Sequence, residues 1–204
     1  MNPLTERDVK LLQFINEFGF CELRHLMKRF SLRSSNAYKI MKRLCRHDLI
    51  IHERIYLRKP GVYRLSKLGA SYTDLPALDK VPNIKYDHQL KVIDVFMKLA
   101  KEYPGGYWVS ERRLLIDQNQ KDILKRKHIA DGMLLFEDGR EIAIEVELSL
   151  KGKNRLEKIL KAYAGQYAIT EVWYYCWPYI IPALKKQAEK RSFVKIHNLT
   201  EFLV

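Results

Sequence analysis

Residues 34–46 read Ser-Ser-Asn-Ala-Tyr-Lys-Ile-Met-Lys-Arg-Leu-Cys-Arg, and this pattern decides the reading of the first part of the chain. At 100° per residue, Ala37, Ile40, Met41 and Leu44 gather on one side, within roughly 100° of arc. Ser35, Lys39, Lys42 and Arg46 gather on the opposite side, flanked by Asn36, Tyr38 and Arg43. The spacing predicts an amphipathic helix over 34–46 with Ser34 as its N-cap. On its own, a basic helix face is ordinarily a solvated surface, so its neighbours in the sequence decide what it means.

Upstream, Leu11, Leu12, Phe14 and Ile15 recur at helical spacing behind Thr5, and Asp8 supplies the reciprocal capping residue. These predict a first helix from Glu6 to Glu17, closed by Gly19. A short second helix follows from Glu22 to Arg29, then a turn at Ser31–Arg33. Downstream, β-rich runs at Leu49–Ile55 and Val62–Leu65 flank the turn Arg58-Lys59-Pro60-Gly61. Helix, helix, basic helix and basic hairpin, in that order, predict a winged helix-turn-helix over residues 1–77. Its third helix would enter a major groove, with cations on phosphates and short polar or Arg side chains at base edges. The candidate DNA-binding residues are Ser35, Asn36, Lys39, Lys42, Arg43 and Arg46 on the helix, with Arg58 and Lys59 on the hairpin. Double-stranded DNA is the expected partner rather than RNA, because A-form RNA hides its major groove from a helix.

The net charge agrees with this reading. The 204 residues carry a formal +13, a value that calls for a polyanionic partner. Residues 1–80 hold 16 Lys and Arg against 8 Asp and Glu, so the excess is densest at the start of the chain. A 47% hydrophobic content excludes a disordered tail. The apolar run Val172–Trp177 is far shorter than the roughly 20 residues a membrane helix needs. No membrane partner is expected, and the predicted location is cytoplasmic. Cys21, Cys45 and Cys176 are too widely spaced for a zinc site or a disulfide framework.

Asp74 to Pro82 carries two prolines and breaks both periodicities, which places a domain boundary there and a second domain over 83–204. That second part predicts a helix at Asp87–Lys101 and strands at Tyr107–Ile116, Ile129–Phe136 and Glu141–Leu150. A polar connection at Asp117–His128 separates the first two strands. A helix at Gly152–Ala168 and a strand at Glu171–Cys176 follow, then a helix at Pro182–Lys190 and a strand at Phe193–Ile196. The expected class is mixed α/β, in the order αβββαβ with an αβ addition.

The third of these strands alternates. Ile142, Ile144, Val146, Leu148 and Leu150 face one way; Ala143, Glu145, Glu147, Ser149 and Lys151 face the other. Two readings follow. Either this is the solvated polar face of an antiparallel sheet, or Glu145 and Glu147 join Asp131 from the partner strand. In the second case the oxygen-rich site suits Mg²⁺ or Mn²⁺, ions that activate water for phosphoryl chemistry.

His128-Ile-Ala-Asp131-Gly132, followed by Ile144-Glu-Val-Glu-Leu-Ser-Leu-Lys151, resembles the centre of the PD-(D/E)xK restriction-endonuclease-like fold. A winged helix ahead of such a domain is similar to the replication-relaxation family of plasmids and integrative elements, which includes the MobC-type relaxases. The resemblance implies that Asp131 and Glu145 bind a metal. Ala130 replaces the motif's proline, and Glu147 stands where the motif has a lysine that orients the attacking water. Lys151 replaces that lysine if the strand end curls back; Lys153 and Arg155 are further substitutes. Alternatively Glu147 is a third metal ligand, or the site is inactive and holds no cofactor. The candidate catalytic set is therefore Asp131, Glu145, Glu147 and Lys151, with the three acids as the metal set.

Tyr163 and Tyr167, four residues apart on one predicted helix, read either as a nucleophile pair or as a half-buried core edge. His88 and Glu111 read either as flanks of the site or, for His88, as hydrogen-bonded surface. Trp173, Tyr174, Tyr175 and Trp177 are expected to pack an inner strand rather than form a base-stacking platform. Two functions stay open. One is a DNA-binding protein of a mobile element that recognises an origin-type site and nicks DNA. The other is a transcription regulator or accessory factor whose nuclease-like domain serves assembly with a relaxase, replication initiator or coupling protein. The oligomeric state stays open, and a dimer is compatible with either.

Overall fold

The structure, a computed structural model, describes residues 4–120 and 128–203. It is a mixed α/β chain with two sheets, and it divides into two compact units, Met1–Ile93 and Asp94–Val204.

In the first unit, α1 (Glu6–Phe18) opens on the expected capping box. The Thr5 hydroxyl accepts from the Asp8 N–H at 3.2 Å, and Asp8 Oδ2 accepts from the Thr5 N–H at 2.9 Å. Gly19 closes the helix at φ 80°. The next three residues form β1 (Phe20–Glu22), a strand too short to leave a period in the sequence. After α2 (Leu23–Arg29), the chain turns at Ser31 (φ 51°) into α3 (Ser34–Arg46). The N-cap of α3 is the extended Arg33; Ser34 is already helical. β2 (Ile50–Glu53) and β3 (Val62–Leu65) complete an antiparallel sheet in the order β1-β3-β2. β2 stops short of Ile55, so the hairpin connection is longer than its turn residues suggest.

α4 (Lys67–Ala70) follows directly. The proline segment after it stays with the first unit instead of hanging free. Leu75 and Val81 are buried. Asn16 donates to the Thr73 hydroxyl at 2.7 Å, and Arg64 donates to the Leu78 carbonyl at 3.0 Å. Helix α5 (Tyr86–Glu102) continues past it, and the division between the units falls inside this helix.

The second unit holds a five-stranded sheet of order β4-β5-β6-β7-β8. Strands β4 (Tyr107–Ser110), β5 (Gly132–Leu135) and β6 (Glu141–Glu147) run antiparallel. Strands β7 (Ile169–Cys176) and β8 (Val194–Asn198) add to β6 in parallel. Three expectations need correction. The strand expected over Tyr107–Ile116 ends at Ser110, and Glu111–Gln120 forms helix α6. Glu-Arg-Arg-Leu-Leu are straight-chain helix formers, and the Ser110 hydroxyl accepts from the Arg113 N–H at 3.4 Å, as an N-cap does. The remainder of the expected polar connection, 121–127, lies outside the described residues. β6 stops at Glu147 rather than at Leu150. Finally, α7 (Lys153–Ala164) ends four residues early, so Tyr167 lies beyond it. Helix α8 (Ile181–Ala188) precedes β8.

The parallel pairing with β7 explains why β6 is buried from Ile142 to Glu147. Strands inside parallel sheets are covered on both faces. On the Ala143 face, Leu156, Ile159, Leu160 and Tyr163 of α7 pack over Val172 and Tyr174 of β7. On the opposite face, Gly132 makes room for Trp108, since a Cβ there would stand 2.1 Å from its ring. Among the described residues, no helix is long and apolar enough to cross a membrane.

Candidate functional site

On α3, the four apolar residues Ala37, Ile40, Met41 and Leu44 are all buried, as their period predicts. Ser35, Asn36, Lys39, Lys42 and Arg46 are exposed on the other side, with Tyr38 59% exposed among them. Beside Lys42 and Tyr38, a shallow depression runs to Ile51, His52 and Tyr63 of the adjoining hairpin.

Two of the residues predicted to meet DNA have partners inside the protein. Arg43 reaches back to α1, where its Nη2 meets Asp8 Oδ1 at 2.6 Å. Burial would push the Asp8 carboxyl up, but the hydrogen bonds from Thr5 and the Arg43 guanidinium outweigh it and hold the group below the usual aspartate range. Lys59 pairs with Asp87, and its ammonium lies 4.9 Å from the centre of the Tyr56 ring and 5.1 Å from that of Tyr86. Arg58 is exposed. Neither pairing was visible in the sequence, because both partners lie more than 25 residues away.

In the second unit, Glu145 and Glu147 lie on the α7-covered face, 2% and 6% exposed, which overturns the solvated-face reading. Asp131 sits one residue before β5, and its Oδ2 accepts from the Val146 N–H at 2.8 Å. That bond ties it to the stretch of β6 bearing both glutamates. Glu145 Oε1 receives two donors: His128 Nε2 at 2.6 Å and the Tyr163 hydroxyl from α7. Glu147 receives the Lys151 ammonium. Ser149 and Leu150 leave the strand exposed, and the chain turns so that Lys151 comes back against Glu147. Lys153 and Arg155 open α7 as exposed residues.

Burial raises the Glu147 carboxyl above its usual range; Glu145 and Asp131 push the same way, and Lys151 opposes them. Burial, and then Glu145, hold the Tyr163 phenol far above its ordinary value. Tyr174 stands opposite Glu145 in the parallel pairing. It is fully buried, and among the described residues its hydroxyl has no hydrogen-bond partner. Burial raises its phenol too, with Glu145, Glu147 and Asp131 adding to the effect.

Carboxylate oxygens are the donors Mg²⁺ and Mn²⁺ prefer. Among the described residues, however, no three His, Cys, Asp or Glu side chains are grouped so as to hold a metal ion. In this arrangement donors from the protein answer its acids.

The expected tyrosine pair separates. Tyr163 is buried against Glu145, while Tyr167 is wholly exposed past the helix end. His88 lies in the first unit, and Glu111 opens α6. Sequence reasoning did not assign the two donors on Glu145. His128 stood inside the nuclease-like motif, and Tyr163 carried no signal beyond its place on a helix.

No family model, curated protein or solved structure matches the chain.

Proposed function

We propose that this chain is a double-stranded DNA-binding protein of a mobile genetic element, which reads an origin-type site through α3. In this reading the first unit is a winged helix-turn-helix with α3 as recognition helix and the β2–β3 hairpin as wing. The second unit is a PD-(D/E)xK-like domain. One observation carries the reading: α3 buries its whole apolar stripe and leaves Ser35, Asn36, Lys39, Lys42 and Arg46 exposed together. Such a face costs stability through self-repulsion and is useful against phosphates and base edges. The test is fluorescence anisotropy with double-stranded DNA, double-stranded RNA and single-stranded DNA over a salt series. Duplex DNA should bind tightest, with affinity falling steeply as salt rises. Equal affinity for the RNA duplex counts against groove reading by a helix.

A second reading, metal-dependent nicking by the second unit, is favoured by the position of Lys151. The turn after β6 returns an ammonium to acids that sit where the motif's lysine is replaced by Glu147. This reading requires Asp131, Glu145 and Glu147 to close on an ion. It therefore predicts that Mn²⁺ raises the melting temperature and that Asp131→Ala abolishes the rise. Without that rise, the second unit serves assembly with a relaxase, replication initiator or coupling protein, and holds no cofactor.

A further inference from the structure

Two kinds of contact hold the tip of the β2–β3 hairpin against the start of α5. The turn 56–59 closes with the Lys59 N–H on the Tyr56 carbonyl at 3.2 Å, which puts Leu57 and Arg58 at its exposed corners. The Tyr56 hydroxyl donates to the Asn83 carbonyl at 3.2 Å, and the Tyr86 hydroxyl to the Pro60 carbonyl at 3.2 Å. Tyr86 is buried and stacks on Phe20 of the first sheet. The other contact is ionic: Lys59 gives its ammonium to Asp87 Oδ1, beside the Tyr56 and Tyr86 rings.

The ion pair differs from the hydroxyl bonds in what it can contribute. Its side chains are 39% and 63% exposed, so water and salt reach both, and such a pair adds little to stability. The hydroxyl bonds and the buried Tyr86 ring hold the tip without it. Nor does Asp87 depend on Lys59. In the first turn of a 17-residue helix, its carboxylate already faces the positive end of the helix dipole. What the pair does is occupy Lys59. An ammonium held beside two rings, with the exposed Arg58 next to it in the chain, is a ready point charge for a backbone phosphate. The carboxylate oxygens of Asp87 stand where the phosphate oxygens would.

We propose that Asp87 is an internal stand-in for a DNA phosphate: it occupies Lys59 in the free protein, and the duplex backbone displaces it when the wing engages. The inference rests on the DNA reading above and adds to it a residue that lowers affinity. Binding must open the Lys59–Asp87 pair, and bound duplex in turn leaves Asp87 unpaired at the start of α5, the helix that continues into the second unit.

The test is duplex affinity of the full chain carrying Asp87→Asn, alone and together with Lys59→Met, by fluorescence anisotropy over a salt series. Asp87→Asn should tighten duplex binding about two- to fivefold, the range that opening one exposed ion pair spans, with little change in melting temperature. Lys59→Met should weaken binding and lower the slope of log affinity against log salt by about one. In that background Asp87→Asn should gain much less, because no pair is left to open. An equal gain with and without Lys59 means that Asp87 only repels the duplex, and overturns the proposal. Unchanged or weaker binding by Asp87→Asn also overturns it, and makes the pair an anchor of the hairpin tip. A backbone-amide NMR titration gives a second readout: the duplex should shift the Lys59 and Asp87 amides, and inorganic phosphate at the same ionic strength should not. Equal shifts with phosphate make this a site for the free anion and overturn the assignment to DNA. If any of these contrary results arrives while Lys39→Ala with Lys42→Ala still weakens duplex binding, only the role of Asp87 fails and the DNA reading stands.

Discussion

Helix α3 and strand β6 both carry charged side chains at the period of their element, and they treat those charges in opposite ways. On α3 the cations at 39, 42 and 46 are exposed, and only Arg43 turns inward, to Asp8. On β6 both glutamates are buried, and each has its own donor: His128 and Tyr163 for Glu145, Lys151 for Glu147. Charge left in water is available to a partner. Charge taken out of water must be answered inside the fold, or it costs several kcal/mol. The cations of the first region stand in solvent; the acids of the second are met by donors of the protein itself.

The largest effect that tests this contrast is in the second region. Lys151→Ala leaves Glu147 buried without its cation and should destabilise the protein by about 3 kcal/mol in urea unfolding. Replacing both partners, as Lys151→Met with Glu147→Leu, should recover most of that stability, since a buried pair is often matched by apolar side chains of similar size. If the single substitution proves neutral, the pair is not holding the turn after β6.

Tyr163→Phe is expected to cost less, roughly 1–3 kcal/mol, because it removes one donor from a buried carboxylate and leaves His128 in place. A neutral result would mean that Tyr163 serves only to pack α7 on the sheet.

Arg43→Ala tests the one cation of α3 that turns inward. It should cost about 1–2 kcal/mol at neutral pH. The Asp8 carboxyl is depressed in the folded state, so its contribution is complete above the unfolded aspartate pKa of about 4. It disappears as pH falls through the lower, folded value. The stability difference between wild type and Arg43→Ala should therefore narrow in acid, as followed by thermal melts across pH 2 to 7. A gap that does not change with pH removes the Asp8 pairing as its cause.

The contrast also explains what could be read from the chain beforehand. The capping box at Thr5 and Asp8 and the buried stripe of α3 are both local, and each occurs as its spacing predicts. What was hidden depends on residues distant in sequence. β1 exists because β3 offers Phe20–Glu22 an edge. The Glu145–Glu147 face is dry because β7 pairs in parallel and α7 covers it, and no period within β6 carries that information. The strand expected after Ser110 failed for a local reason: hydrophobic residues at 114–116 fit a strand as well as a helix, and helix propensity with a Ser cap decided it.

The most direct measurement is duplex affinity of Lys39→Ala with Lys42→Ala, read against salt. Both side chains are exposed on α3, so folding stability should stay within about 0.5 kcal/mol of wild type. Affinity for duplex DNA should fall by roughly 1–3 kcal/mol for each side chain that reads a base edge, and by less for one that meets only a phosphate. The slope of log affinity against log salt should drop by about one for each phosphate no longer neutralised. Unchanged affinity and slope in a fully folded variant would contradict the assignment of α3 as the DNA-reading helix.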